Sequence, residues 1–125
     1  ARSRPAGAVC SVCWTDGPFP GGVIDVGSGR FWRIEQRPLH KPVISPIGAG
    51  DATAGATLHM WCKLEAAAAA ACSEVDPGRQ LADAFAFGMA VGAASCLTGS
   101  NAEFDINDAH MIREGTCVTS LPRIT

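Results

Sequence analysis

The sequence predicts an α/β fold, and three observations carry that prediction. Short β-rich runs occupy the first third of the chain, long alanine-rich runs without proline fill much of the rest, and glycine- and proline-containing turns separate them. Of 125 residues, 47% are hydrophobic and 18% charged, which is enough apolar material for one core and excludes a disordered chain.

Taken in order, residues 9–14 read as a buried strand that stops at the turn signal Thr15-Asp16-Gly17-Pro18. Residues 23–26 and 30–34 are two further strands, joined by Gly27-Ser28-Gly29, and the three together make a meander. Pro42 and Pro46 keep residues 39–47 extended, because proline fixes φ and removes an amide donor. From residue 51 to 72 there is no proline and the run is dominated by Ala, Leu, Met, Lys and Glu, so a long helix is expected. The six alanines at 66–71 extend that helix but offer little surface for packing. A turn at Pro77-Gly78 leads to a second helix over 81–97, rich in small residues. A short third helix over 105–114, capped by Asp105 or Asn107, and a strand over 116–121 complete the chain. No repeat and no change of composition divides residues 1–125.

Composition narrows the function classes. The net charge is -2 and the basic residues are scattered, so no stripe exists to neutralise nucleic-acid phosphates or anionic lipid. Residues 84–97, the longest nearly apolar run, fall short of the roughly 20 residues of a bilayer crossing, and a soluble chain is expected. Residues 1–5 are basic but lead into no apolar segment, unlike a secretory signal, and the absence of an initiator Met suggests a fragment or a processed chain. Cys10, Cys13, Cys62, Cys72, Cys96 and Cys117 are expected as reduced, buried thiols in a cytoplasmic compartment. Cys10-x-x-Cys13 has no second pair and no histidine at ligand spacing, so no metal site is expected. His40, His59 and His110 are isolated and read as structural or surface residues, Lys41 as solvated, and Trp14, Trp32 and Trp61 as packing residues.

The segment that carries chemistry is Ser45-Pro46-Ile47-Gly48-Ala49-Gly50-Asp51-Ala52-Thr53. Gly48, Ala49 and Gly50 leave backbone N–H groups unobstructed at a helix N-terminus, where unpaired donors and the helix dipole attract an anion. Such an anion hole suits a transferring phosphoryl group, whose transfer is catalysed mainly by positioning and charge stabilisation. Asp51 follows directly, placed to take the proton from an attacking hydroxyl. The plainer reading of Asp51 is a first-turn acid that complements the dipole.

Gly48-Ala49-Gly50-Asp51 with the small residues Ala52-Thr53-Ala54-Gly55-Ala56 resembles the C-terminal signature of the PfkB (ribokinase-like) carbohydrate kinases, commonly written D-T-x-G-A-G-D. Pro46 resembles the N-P-x-G-[SA]-G-D form of the hexose-phosphate branch, which includes 1-phosphofructokinases and tagatose-6-phosphate kinases, while Ser45 departs from both forms. The resemblance implies a three-layer α/β/α parent of which this chain is the C-terminal portion, roughly two-fifths. It also implies ATP-dependent phosphoryl transfer to a sugar or sugar phosphate, with Asp51 catalytic, magnesium on the phosphates, and the N-terminal substrate and lid motifs outside the chain. Isolated from those parts, the chain is expected to be inactive, with exposed sheet edges or apolar faces.

Three further segments are implied by the same resemblance. Thr15-Asp16-Gly17 stands where the family has a strand ending in T-x-G that contacts the nucleotide; Thr15 and Gly17 read equally as a plain turn. Ala90, Gly92 and Ala94 lie on a small-residue helix that in the family lines the adenine pocket, and tight helix packing explains the same residues. The loop Thr98-Gly99-Ser100-Asn101 lies where many relatives bind a monovalent cation such as K+, but a simple helix C-terminal turn is the preferred reading. Two rival functions stay open: an inactive nucleotide-binding remnant, and a related nucleoside or vitamin kinase.

Overall fold

The computed structural model describes residues 7–122. Its elements run β1 (Ser11–Asp16), β2 (Phe19–Asp25), β3 (Arg30–Glu35), α1 (Ala49–Ala71), α2 (Pro77–Ser95), α3 (Ile106–Glu114) and β4 (Cys117–Leu121). The expected mixed α/β class is found, with the four strands in one antiparallel sheet of order β1-β2-β3-β4. Three of those strands form the meander expected from the first 35 residues. The fourth closes beside β3, pairing Trp32 with Ser120 and Ile34 with Val118.

Boundaries differ where a cap or a hairpin outweighs local composition. β2 begins at Phe19 rather than Val23 because the tight turn at Gly17-Pro18 pairs Asp16 with Phe19 and draws Pro20, Gly21 and Gly22 into the ladder. β1 correspondingly runs from Ser11 to Asp16 instead of residues 9–14. Pro77-Gly78 opens α2 instead of forming a turn before it. Asp76 is the N-cap, its carboxylate accepting from the amides of Gly78 and Arg79, and Pro77 occupies the first helical position, where its missing N–H is no loss. Asp105 caps α3 as expected, accepting from Asn107 N–H.

α2 is the centre of the molecule. One side packs on the sheet, where Val23, Trp32 and Ile34 meet Ala82, Phe85, Ala86 and Met89. Farther along, Ala90, Val91, Ala94 and Leu97 pack with Ala109 and Ile112 of α3. α1 lies along α2 at very close range. A Cβ added at Gly88 would collide with Thr57 Oγ1 and come within 2.6 Å of the Thr53 carbonyl; one at Gly92 would collide with Thr53 Oγ1 and lie 2.9 Å from the Ala49 carbonyl. The small residues of α2 are therefore the condition for the helix spacing.

α1 is covered far less. Thr53 is its only buried residue, Leu58 is 64% exposed, and the polyalanine end projects with mostly exposed side chains. The sheet face opposite α2 carries Val12, Trp14, Ile24 and Phe31, with Trp14 stacked on Phe31 at 5.3 Å between ring centroids. This fits the expectation of exposed apolar faces. The cysteines correct another expectation: Cys10, Cys62, Cys72 and Cys117 are exposed and only Cys13 and Cys96 half-buried, because the strand edge and the outer face of α1 leave them in solvent. Among the described residues, no helix is long and apolar enough to cross a membrane.

Candidate functional site

The connection from β3 to α1, residues 36–47, has no regular structure and is held by side chains and backbone bonds to the far helices. The Ile44 and Ser45 amides both donate to the Cys96 carbonyl at the end of α2, at 2.7 and 3.1 Å. His40 Nε2 and Lys41 Nζ converge on the Asp108 carboxylate of α3, at 2.9 and 3.0 Å from Oδ1. Lys41 is thus ion-paired, which corrects the expectation of a solvated lysine. Asp108 is buried, and its hydrogen bonds from His40 and then Lys41 hold its carboxyl below the ordinary carboxylate range.

This strap delivers Gly48, whose φ of 86° lies in the left-handed region that favours glycine. Gly48 is the N-cap of α1 and makes no side-chain cap; its carbonyl accepts from Ala52 N–H at 3.0 Å. The anion-hole expectation is refined at one position. Ala49 N–H donates to the Pro46 carbonyl at 3.3 Å and is spent inside the protein. The amides of Gly48, Gly50 and Asp51 have no such partner among the described residues, so Asp51 takes the place of Ala49 among the available donors. Asp51 is exposed in the first turn of α1, and its carboxylate has no hydrogen-bond partner among the described residues.

A cleft of about 930 Å³ opens between β1, the start of α2 and residues 50–61 of α1. Its walls include Cys13, Trp14, Leu58, Trp61, Leu81 and Phe85, and Gly50 is the one residue of the anion-hole turn that reaches it. The exposed lining is largely apolar, although Arg30, Asp76 and Thr57 also line it, and Gly50 joins it to the amide donors of the turn. The cleft itself is a surface for hydrocarbon or a flat ring, not for phosphate.

The nucleotide residues implied by the family resemblance fare differently. Thr15 is exposed and lines the cleft. Gly17 sits at the tip of the β1–β2 hairpin with φ 55°, a turn position outside the cleft lining. Ala90 and Ala94 have no exposed surface, and Gly92 is buried against α1. All three are packing residues in this arrangement, because their surface is already spent on α1 and α3. A ligand could feel them only through the helix spacing they set.

The loop after α2 is tied down through Thr98. Its hydroxyl lies 3.2 Å from the Ser95 carbonyl, 3.0 Å from that of Ser100 and 3.1 Å from that of Glu103, so these oxygens surround a side chain. The same loop abuts the anion-hole turn: a Cβ on Gly48 would be 3.1 Å from the Ala102 nitrogen. Among the described residues, no group of three or more His, Cys, Asp or Glu side chains could hold a metal ion.

The tie between the strap and α3 was invisible to sequence reasoning. Asp108 lies 67 residues from Lys41, no periodicity connects them, and a first-turn Asp has a sufficient local explanation in the helix dipole.

No family model matches this chain, and no curated protein sequence matches it. Among solved structures, it is similar to a Staphylococcus aureus protein described as a "putative phosphofructokinase", with a TM-score of 0.64 and 16% identity over 92% of this chain and 31% of that one. The chain thus spans about a third of that protein's length, and what the two share is an α/β fold.

Proposed function

We propose that this chain is the phosphoryl-transfer portion of a PfkB-type carbohydrate kinase, in which ATP donates its γ-phosphoryl group to a hydroxyl of a sugar or sugar phosphate. The observation that carries the proposal is the rim of the cleft: amides of Gly48, Gly50 and Asp51 with no partner among the described residues open a helix whose third residue is a solvent-facing carboxylate, likewise without a partner among them. The fold shared with a phosphofructokinase-like protein supports the class of reaction, and the Gly48–Asp51 motif supports the PfkB type.

In this reading the amides and the dipole of α1 hold the negative charge of the transferring group. Asp51 accepts the proton of the acceptor hydroxyl, that oxygen forms its bond to the γ-phosphorus, and the bond to the β-phosphate bridging oxygen breaks to release ADP. ATP fits the donor set, which is built for oxyanions. The described residues supply no carboxylate cage for magnesium, which would arrive on the nucleotide's own phosphates and neutralise their charge. The carbonyls around Thr98 are directed at its hydroxyl, which gives a K+ site no support here. The sugar site lies outside this chain in the proposal, and the setting is cytoplasmic, where ATP is available.

A second reading is favoured by the open apolar cleft and by coverage of only 31% of the similar structure. Alone, the chain is an inactive nucleotide-binding portion, and turnover belongs to a longer protein.

The test is a coupled ADP-release assay on this chain and on a longer protein containing it, with a panel of hexoses and hexose phosphates. Acceptor-dependent ADP release by the longer protein that drops about a hundredfold or more in Asp51→Asn, with ATP affinity kept, is the expected result. Unchanged turnover in Asp51→Asn removes the base from the mechanism.

A further inference from the structure

We infer that Asp108 is the positioning residue of the phosphate-binding turn, acting at a distance through the strap of residues 40–47. The inference rests on the function proposed above and adds a component that the turn itself does not contain.

Four observations support it. The Asp108 carboxylate is 9% exposed yet receives two side chains from the strap, His40 Nε2 at 2.9 Å and Lys41 Nζ at 3.0 and 3.1 Å to its two oxygens. A buried carboxylate needs such partners, so the contact is specified in geometry and not merely tolerated. Leu39, next to His40, packs against the α2–α3 core, so the anchored end of the strap is apolar as well as ionic. From Lys41 to Gly48 the strap contains Pro42 and Pro46, each with fixed φ, and is stitched midway by the two amide bonds to Cys96. A stiff segment fixed at one end and at its middle has few ways to place its other end.

That other end is the turn. Pro46 supplies the carbonyl that orients Ala49 N–H, and Gly48 is pressed against the Asn101–Ala102 loop that follows α2. Release of His40 and Lys41 therefore does not unfold α1, which is packed on α2 through Thr53 and Thr57. It loosens the entry to α1, and with it the direction of the Gly48, Gly50 and Asp51 amides. A first-turn acid acting only on the dipole of α3 would leave that entry unchanged.

The experiment compares Asp108→Asn and Lys41→Met with Asp76→Ala, a cap loss of comparable thermal cost at the other end of α2. Hydrogen exchange of the amides at 44, 45 and 48–51 is followed, together with titration of inorganic tripolyphosphate. Asp108→Asn and Lys41→Met should speed exchange at those amides and weaken tripolyphosphate roughly three- to tenfold, about what one net hydrogen bond is worth. Asp76→Ala should leave exchange at those amides unaltered; because Asp76 and Arg30 line the cleft, the tripolyphosphate titration compares the two strap variants with the unsubstituted chain. Lys41 is half-exposed, so its variant folds even if Asp108→Asn does not. Lys41→Met or Asp108→Asn behaving like Asp76→Ala, with lower thermal stability and an unaltered turn, overturns the inference. Should tripolyphosphate not bind the unsubstituted chain, the proposed function fails while the exchange pattern still decides the positioning role.

Discussion

The close approach of α1 to α2 makes a signed prediction at two glycines of similar helical setting. At Gly92 an added Cβ would overlap Thr53 Oγ1 and lie 2.9 Å from the Ala49 carbonyl, itself part of the first turn of α1. Thr53 cannot swing away cheaply, because its hydroxyl donates to that same carbonyl at 2.8 Å. The helices must separate, and overpacking of this kind costs roughly 1–3 kcal/mol. Replacing a helical glycine by alanine returns about 1 kcal/mol, which leaves Gly92→Ala destabilised by up to about 2 kcal/mol. Gly55, on the exposed side of α1, has nothing within 4 Å of its added Cβ, so Gly55→Ala keeps the propensity gain and should be more stable by about 0.5–1 kcal/mol. Thermal unfolding followed by circular dichroism reads both. In the double variant Thr53→Ala with Gly92→Ala the overlap with Oγ1 disappears, and the two changes should cost less together than their sum by about 0.5 kcal/mol or more. Equal signs for Gly92→Ala and Gly55→Ala, with additive behaviour in the double variant, would refute the packing argument. The small face of α2 would then be free for a ligand.

Other consequences follow from single contacts. Asp76→Ala removes the cap from Gly78 and Arg79 and the 2.6 Å ion pair with Arg30, and should cost about 1–2 kcal/mol, most of it the cap because the pair is half-exposed; chemical denaturation measures it. Asp76 and Asp108 both have lowered carboxyl pKa values, from the Arg30 hydrogen bond in one case and from His40 and Lys41 in the other. Their contribution is complete above the ordinary carboxylate range and is lost as pH falls through the lowered values, so stability should drop below about pH 4 in a thermal-melt series. Burial pushes the Cys13 thiol up to about 11, leaving on the order of one thiolate in a thousand at pH 8. Labelling with a thiol reagent at that pH should reach Cys10, Cys62, Cys72 and Cys117 well before Cys13, as peptide mapping would show.

Helices and turns were legible because their signals are local. Residues 51–72 announced α1 within two residues at its start, and Asp105 announced the cap of α3. The start of α2 was equally local, an Asp-Pro pair at 76–77, but Pro77-Gly78 resembles a turn as much as a helix opening, and only the Asp76 side-chain bonds distinguish them. β2 was read too short because Pro20, Gly21 and Gly22 have low strand propensity; pairing with β1 and β3 overrides it. At the site, the glycine turn and Asp51 were visible as a motif. The capture of Ala49 N–H by Pro46 and the clamp on Asp108 depend on the path of the strap, which no residue pattern encodes. The small residues of α2 were visible with two meanings, and the helix spacing assigns them to packing.

The most direct measurement is a titration of an ATP analogue and of inorganic tripolyphosphate into the 15N-labelled chain, with each backbone amide followed by NMR. Saturable shifts that are largest at Gly48, Gly50 and Asp51, with Ala49 moving less, are the predicted outcome. Shifts confined to the apolar walls of the cleft, or none near residue 50 at concentrations that saturate nucleotide binding in a longer protein, would contradict the phosphate-binding turn.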